Sequence, residues 1–317
     1  MSEASSETSS ESLSEPAGEA ASLDVSVILP VYNEAENLQP EVDRIRESMD
    51  ASGLQYEIIV IDDGSTDGSG ELAQSIDGLR VIRFTRNRGS GSARKAGTAA
   101  ARGRVTVWTD VDMTYPNDTI PQLVKEMEGY DQVVGARTSE QGTAKGLRVP
   151  AKWFIRKLAE FLTKTKIPDL NSGFRAFRTD VGRQYIRQLP PGFSCVTTIT
   201  MTFLAGGYSV KYVPIEYRKR SGHSKFRPFA DTRRYAVQVI RMILSYEPLR
   251  IFMPVGLLFA VVGLGKVGYD LWKHNYHVAT DTLLVLFAAF QIIAIGLLAD
   301  LIVRVTRPAQ EVPPTSL

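Results

Sequence analysis

A single cysteine, Cys195, stands in a chain of 317 residues, so no disulfide can close within it. A lone thiol fits a reducing compartment. No histidine lies near Cys195 in sequence, and it reads as a structural residue rather than a nucleophile. The first 24 residues lack any base or aromatic and carry Glu3, Glu7, Glu11, Glu15, Glu19 and Asp24. Such a segment cannot bury enough apolar surface to offset the cost of ordering, and it is expected to be disordered. It also lacks the basic start and apolar stretch of a signal peptide.

The net charge of +2 conceals a segregation. Opposite the acidic start, residues 218–250 hold Arg218, Lys219, Arg220, Lys225, Arg227, Arg233, Arg234, Arg241 and Arg250 against Asp231 and Glu247. Two apolar runs follow, Ile251–Trp272 and Leu283–Val303, with Lys266 and Asp300 inside them. About 20 apolar residues span a hydrocarbon core, so the pair reads as a transmembrane hairpin. The bases before it, with Arg304 and Arg307 after it, place both ends in the cytoplasm by the positive-inside bias. Asp300 and Arg304 sit at pairing distance on a helix, and Lys266 is close enough to the outer end to snorkel. Gly256, Gly263 and Gly268 favour close helix approach and suggest a homo-oligomer. Arg233, Arg234 and Arg241, mixed with apolar residues, suit an amphipathic helix lying on an anionic bilayer. With a hairpin adjoining, these bases argue for lipid and not for nucleic acid.

The middle of the chain alternates strand and helix patterns. Strands are expected at Val25–Leu29, Glu57–Ile61, Leu79–Phe84, Val105–Thr109 and Gln132–Gly135. Helices are expected at Ala35–Met49, Gly70–Ile76, Ser92–Ala101 and Ile120–Met127. That alternation predicts an α/β fold with a mostly parallel sheet and helices on both faces. Two strands end in acids: Ile61 runs into Asp62-Asp63-Gly64-Ser65, and Thr109 into Asp110-Val111-Asp112. Ligands of open α/β sheets bind at the carboxyl ends of strands. Carboxylates there suit a hard cation, and a hard cation suits phosphates. Asp110 and Asp112, two apart on an extended chain, point the same way and can grip one Mg²⁺ or Mn²⁺ with a diphosphate. Asp112 is the expected direct ligand, with Asp110 in a sugar or metal-shell contact.

Pro30-Val-Tyr-Asn-Glu34, Asp62–Asp67, Asn87-Arg-Gly89 and Asp110–Asp112 resemble, in order and spacing, the family 2 glycosyltransferases of GT-A fold. Gly135-Ala-Arg137, Asp169–Arg175 and Ser221–Lys225 extend the likeness to polyprenyl-phosphate sugar synthases, a group holding dolichyl-phosphate mannose synthases and bacterial glucosyl relatives. The resemblance covers about residues 25–250, and the hairpin matches the membrane-anchored members. It implies that Pro30, Tyr32, Glu34, Asp62, Asp63 and Asn87 border the nucleotide, the two aspartates as hydrogen-bond acceptors. Asp169 and Ser172 would lie in a turn lining the sugar or acceptor side.

Soluble relatives of this kind carry a Glu-Asp pair that serves as base for a hydroxyl acceptor. Here the corresponding Pro191–Thr198 holds no acid. A hydroxyl must lose its proton at attack, whereas a phosphate monoester is already ionised and needs cations instead. Arg137, Arg148, Arg175 and Lys225 are the candidates, with Arg137 also in the catalytic set. Lys225, in a Ser/Gly/His segment, would close over the substrates. The expected domains are a tail at 1–24, a catalytic domain at 25–227, an interfacial segment at 228–250, a hairpin at 251–304 and a cytoplasmic tail at 305–317. The expected reaction is inverting transfer of one hexose, from UDP-glucose or GDP-mannose, to undecaprenyl or dolichyl phosphate. A hydroxyl-acceptor transferase and a non-catalytic membrane scaffold are the rivals. A processive polysaccharide synthase would need a Gln-x-x-Arg-Trp motif and further spans, both absent.

Overall fold

The computed structural model describes residues 23–138, 157, 160, 165–218, 244, 248–273 and 278–306. Arg148, Lys225 with its Ser221–Lys225 motif, nearly all of the expected interfacial segment and most of both tails lie outside the described residues.

Seven strands form one sheet in the order β3-β2-β1-β4-β6-β5-β7. They are β1 (Val25–Val31), β2 (Tyr56–Asp62), β3 (Leu79–Arg83), β4 (Val105–Trp108), β5 (Gln132–Arg137), β6 (Arg175–Arg178) and β7 (Val210–Ile215). The helices are α1 (Ala35–Asp50), α2 (Ser69–Ser75), α3 (Ser90–Ala100), α4 (Ile120–Lys125), α5 (Thr179–Tyr185), α6 (Cys195–Ala205), α7 (Leu249–Lys273) and α8 (Thr280–Thr306). The expected strands and helices through β5 are all present, with ends shifted by a few residues.

β1 is buried on both faces, with Val25, Val27, Ile28 and Leu29 all at zero exposure, as a central parallel strand must be. Two apolar layers result. One packs Leu38, Val42, Ile45 and Met49 of α1 on Val27, Leu29 and Val60. The other packs α3, α5 and α6 on Ile28, Ile59 and Trp108. β1 runs past the expected end at Leu29, through Pro30 to Val31. Alternate β1 residues face β2 and β4: Val31 O accepts the Asp63 N–H, and Ile28 O accepts the Thr109 N–H. Pro30, in phase with Ile28, would donate toward β4, whose pairing stops at Ile28↔Trp108. No ladder bond is lost there.

Strand β6 breaks the pattern. It runs antiparallel to both β4 and β5, so β4 and β5 point the same way. Its start, not its end, therefore meets the edge where β1, β2, β4 and β5 finish. The turn before β6 arrives at the acidic edge as a consequence.

Helices α7 and α8 are each long and apolar enough to cross a membrane, and both are largely unburied along their length. They pack on each other where glycine permits: a Cβ on Gly256 would lie 2.5 Å from Ile293 Cγ1, and one on Gly263 2.6 Å from Leu286 Cδ2. Gly268 faces open space and is not part of this contact. Arg304 and Asp300 pair at 2.7 Å. The first run also holds Asp270, which is buried and accepts N–H from Ala279 at 3.1 Å at the start of α8, closing the hairpin. Lys266 pairs with Asp281 at 2.7 Å.

Candidate active site

The loops after β1 and β2 are stitched together residue by residue. Asn33 N–H donates to Ser65 Oγ at 3.0 Å, and Thr66 N–H returns to Asn33 Oδ1 at 2.8 Å. Glu34 N–H reaches Ser69 Oγ at 3.0 Å. Asp67 accepts from Ala35 N–H at 3.1 Å and from Ser69 N–H at 3.0 Å, so one carboxylate caps the first turns of α1 and α2. Asn33 adopts a φ of 54°, a left-handed conformation that asparagine tolerates better than most residues. Tyr32 and Glu34 are half-buried on this platform.

Asp62 and Asp63 are almost wholly buried, and both hold protein groups. Asp62 accepts from Ser65 N–H at 2.9 Å and from Arg83 Nε at 3.2 Å. Asp63 accepts from Arg88 N–H at 2.7 Å and Gly89 N–H at 2.8 Å, which fixes the loop carrying the exposed Asn87. Burial raises the Asp63 carboxyl above its ordinary range, against the pull of those two N–H groups. Gly64 permits the approach of that loop, because a Cβ there would lie 2.6 Å from the Arg86 carbonyl carbon at a φ of +74°. The two aspartates therefore build the platform.

Asp110 and Asp112 follow β4. Asp110 is about one-third exposed and pairs with the guanidinium of Arg94, which is 2 % exposed. Burial disfavours that cation, but Asp110 leads the influences that keep Arg94 charged, and its pKa is raised overall. Asp112 Oδ1 accepts from Thr114 Oγ1 and, at 3.3 Å, from Thr114 N–H. Among the described residues no group of three or more His, Cys, Asp or Glu side chains gathers as a metal cage. Two neighbouring carboxylates suit Mg²⁺ or Mn²⁺ held jointly with substrate phosphates, since Mg²⁺ characteristically takes one or two carboxylates in such sites.

The turn Asp169–Phe174 joins this acidic edge to the end of β5. At one end Asp169 takes Arg137 Nε at 2.6 Å and Nη2 at 3.0 Å, a bidentate pair. Burial alone would raise the Asp169 carboxyl, but the Arg137 guanidinium outweighs it and the pKa is lowered. At the other end Gly173 N–H donates to Tyr115 Oη at 2.7 Å. A Cβ on Gly173 would sit 3.0 Å from Asp110 Oδ2 and 3.2 Å from Tyr115 Oη, so only glycine fits easily. Arg137 also lies over the Tyr217 ring, 5.3 Å from its centroid, and Tyr217 meets Tyr115 edge-on.

Two expectations need correction. Arg175 does not face an acceptor. It is fully buried, donating to Val196 O at 2.6 Å, to Thr200 Oγ1 at 2.7 Å and to Ser172 O, and burial lowers its pKa to about 10. It ties the turn to α6. Ser172 is likewise buried and shapes the turn from inside instead of lining an open surface. Cys195 is buried in α6, and burial pushes its thiol pKa up, in keeping with a structural thiol. Arg94, Tyr115 and Asn33 were not singled out from sequence.

A parallel-dominated sheet with two acidic loops at its carboxyl edge and a reversed strand beside them defines a GT-A-type glycosyltransferase. The chain belongs to glycosyltransferase family 2, whose model matches residues 26–186. Residues 247–305 match the GtrB C-terminal hairpin. An undecaprenyl-phosphate 4-deoxy-4-formamido-L-arabinose transferase from Aeromonas hydrophila is 28 % identical over 88 % of this chain and 88 % of its own. A dodecaprenyl-phosphate galacturonate synthase from Rhizobium johnstonii is 26 % identical over 89 % of this chain and 88 % of its own. A dolichol-phosphate mannosyltransferase from Pyrococcus furiosus is 35 % identical over 65 % of this chain and 60 % of its own. Among solved structures, glucosyl-3-phosphoglycerate synthase from Mycobacterium tuberculosis, with Mn²⁺, UDP and phosphoglyceric acid, is 26 % identical with a TM-score of 0.55, over 71 % of this chain and 79 % of that one.

Proposed function

We propose that this glycosyltransferase moves one hexose from a nucleotide sugar to a polyprenyl phosphate, with inversion, at a membrane surface. The observation that carries the reading is the turn Asp169–Phe174. Its Asp169 end holds Arg137, the last residue of β5, and its Gly173 end meets Tyr115 and Asp110. The site thus pairs carboxylates for a donor diphosphate with a cation for an anionic acceptor. No carboxylate stands in Pro191–Thr198, where a base for a hydroxyl acceptor would be expected.

Pro30, Tyr32 and Glu34, with Asp62, Asp63 and the Asn87 loop, hold the nucleotide. Asp112, with Asp110, holds the diphosphate end together with Mg²⁺ or Mn²⁺. That ion would neutralise charge on the departing nucleotide diphosphate. The acceptor phosphate oxygen attacks the anomeric carbon in line while the carbon–oxygen bond to the diphosphate breaks. The attacking oxygen carries no proton, so no base is required. Arg137, joined by Arg148 and Lys225, orients that phosphate. The relatives' polyprenyl-phosphate names and the two apolar helices support this acceptor. The charge bias flanking the hairpin supports a catalytic domain and termini on the cytoplasmic side.

The test offers purified protein undecaprenyl phosphate, Mn²⁺ or Mg²⁺, and a panel of radiolabelled UDP- and GDP-sugars. A metal-dependent, solvent-extractable, acid-labile product from one donor establishes the reaction and names the sugar. Label remaining in water with every donor, but transferred to a soluble hydroxyl or phosphorylated acid, overturns the lipid acceptor.

A further inference from the structure

Glu41 lies on the core-facing stripe of α1, between Leu38 and Val42, with no exposed surface. A carboxylate in an apolar stripe is costly unless it is well bonded. Its Oε1 accepts from Asn117 Nδ2 at 2.7 Å. Asn117 is itself fully buried, and its side chain bonds Glu41 on one side and the acidic loop, at Thr109 and Asp110, on the other. The same Nδ2 donates its other hydrogen to Asp110 O at 3.1 Å. Its Oδ1 accepts from Thr109 Oγ1. One turn further along α1, Arg44 pairs with Glu41 Oε1 at 3.4 Å, donates to Tyr115 O at 3.1 Å and pairs with Asp118, a second and longer link from Glu41 to the loop.

The bonded oxygen of Asp110 belongs to the peptide that leads into Val111 and then Asp112. Pinning it sets the direction in which both carboxylates leave the chain. Downstream, Met113 takes a φ of 61°, so the backbone turns sharply just beyond. The loop is therefore held from behind by a helix whose start follows the Pro30–Glu34 segment. Nothing in the sequence pattern marks Glu41 for this: it occupies a position where the periodicity calls for an apolar residue.

We propose that Glu41, acting through Asn117, is a positioning residue that sets the aim of Asp110 and Asp112 and links it to the helix beside the nucleotide loop. The proposal rests on the reading of Asp110 and Asp112 as the end that meets the donor diphosphate.

The test measures binding of UDP and of GDP, each with Mn²⁺, to the full chain in detergent by calorimetry, and continues with the nucleotide that the wild type binds. Melting temperature is recorded on the same samples without metal or nucleotide. Glu41→Leu and Asn117→Ala are expected to weaken nucleotide binding about tenfold, which corresponds to about 1.4 kcal/mol. Glu41→Gln keeps an acceptor for Asn117 and is expected to stay within about threefold of wild type. The double variant Glu41→Leu/Asn117→Ala should lose less than the sum of the two singles, because both remove the same Glu41–Asn117 bond. A lowered melting temperature with unchanged nucleotide affinity in Glu41→Leu overturns the proposal and leaves Glu41 a stability residue. Should Glu41→Leu not fold, Thr109→Val decides: it removes the hydroxyl that holds Asn117, and unchanged affinity there overturns the proposal as well. Asp112→Ala separates the two layers. If it binds nucleotide as wild type does, the reading of the acidic pair fails. If it loses binding while Glu41→Leu keeps it, only the positioning role fails.

Discussion

Arg137 and Asp169, thirty-two residues apart in sequence, meet through two N–H···O bonds of 2.6 and 3.0 Å. Asp169 is 9 % exposed, so its removal leaves a largely desolvated guanidinium without its counter-ion. Asp169→Asn is expected to cost about 3 kcal/mol at neutral pH. The carboxyl's folded pKa is lowered, so its contribution is complete above the ordinary value of 3.8 and is lost as pH falls through the lower folded one. Thermal melts should therefore show a wide gap between wild type and variant at neutral pH that closes below about pH 4.

Asp112→Ala is expected to lower transfer about a thousandfold, the scale on which losing electrostatic stabilisation of a departing group is felt. Circular dichroism is expected to stay that of the wild type, the bonds from Thr114 to Asp112 Oδ1 lying within one loop. The check is initial rate of glycolipid formation beside the spectrum.

Arg175→Met separates structure from acceptor binding. The buried guanidinium holds Val196 O, Thr200 Oγ1 and Ser172 O, and their loss should cost about 3 kcal/mol. Its burial keeps it from substrate, so KM for the lipid acceptor should change far less than for Arg137→Met. A titration of acceptor at saturating donor compares the two.

Gly256→Leu forces a side chain into Ile293, where even a Cβ would be 2.5 Å away. Overpacking of this kind costs about 1–3 kcal/mol. Gly268→Leu, with nothing within 4 Å, is the control and should leave the melting temperature in detergent unchanged.

The first half of the fold is legible because most of its strands are short apolar runs, β2 and β4 leading into acids, and because α1 carries an apolar stripe of Leu38, Val42, Ile45 and Met49. Asp62, Asp63, Asp110 and Asp112 could be placed at one edge from sequence because parallel strands carry their ends to the same side. Apart from Asn33 and the buried partners Glu41, Arg94 and Tyr115, what the sequence hid lies after Arg137. Strand β6 is four residues, Arg-Ala-Phe-Arg, with arginine at both ends, and its apolar content is too small to announce a strand. Its reversed direction depends on pairing with β4 and β5, which no local pattern encodes. Arg175 looked like a surface cation because arginine is rarely buried, and only the tertiary fold supplies its three acceptors. Helix α6 is apolar or threonine on nearly every face, so periodicity could not show which side packs.

Helices α7 and α8 form a hairpin closed by Asp270, which ties the end of one to the start of the other. A catalytic domain joined to a bilayer by one such hairpin samples a thin shell of space beside the lipid headgroups. A partner dissolved in that bilayer reaches it by lateral diffusion in two dimensions, while a soluble nucleotide arrives in three. Turnover would then follow the mole fraction of the lipid in the membrane and not its amount per volume of water, so diluting the vesicles would leave the rate per enzyme unchanged, whereas diluting the lipid among other lipids would lower it.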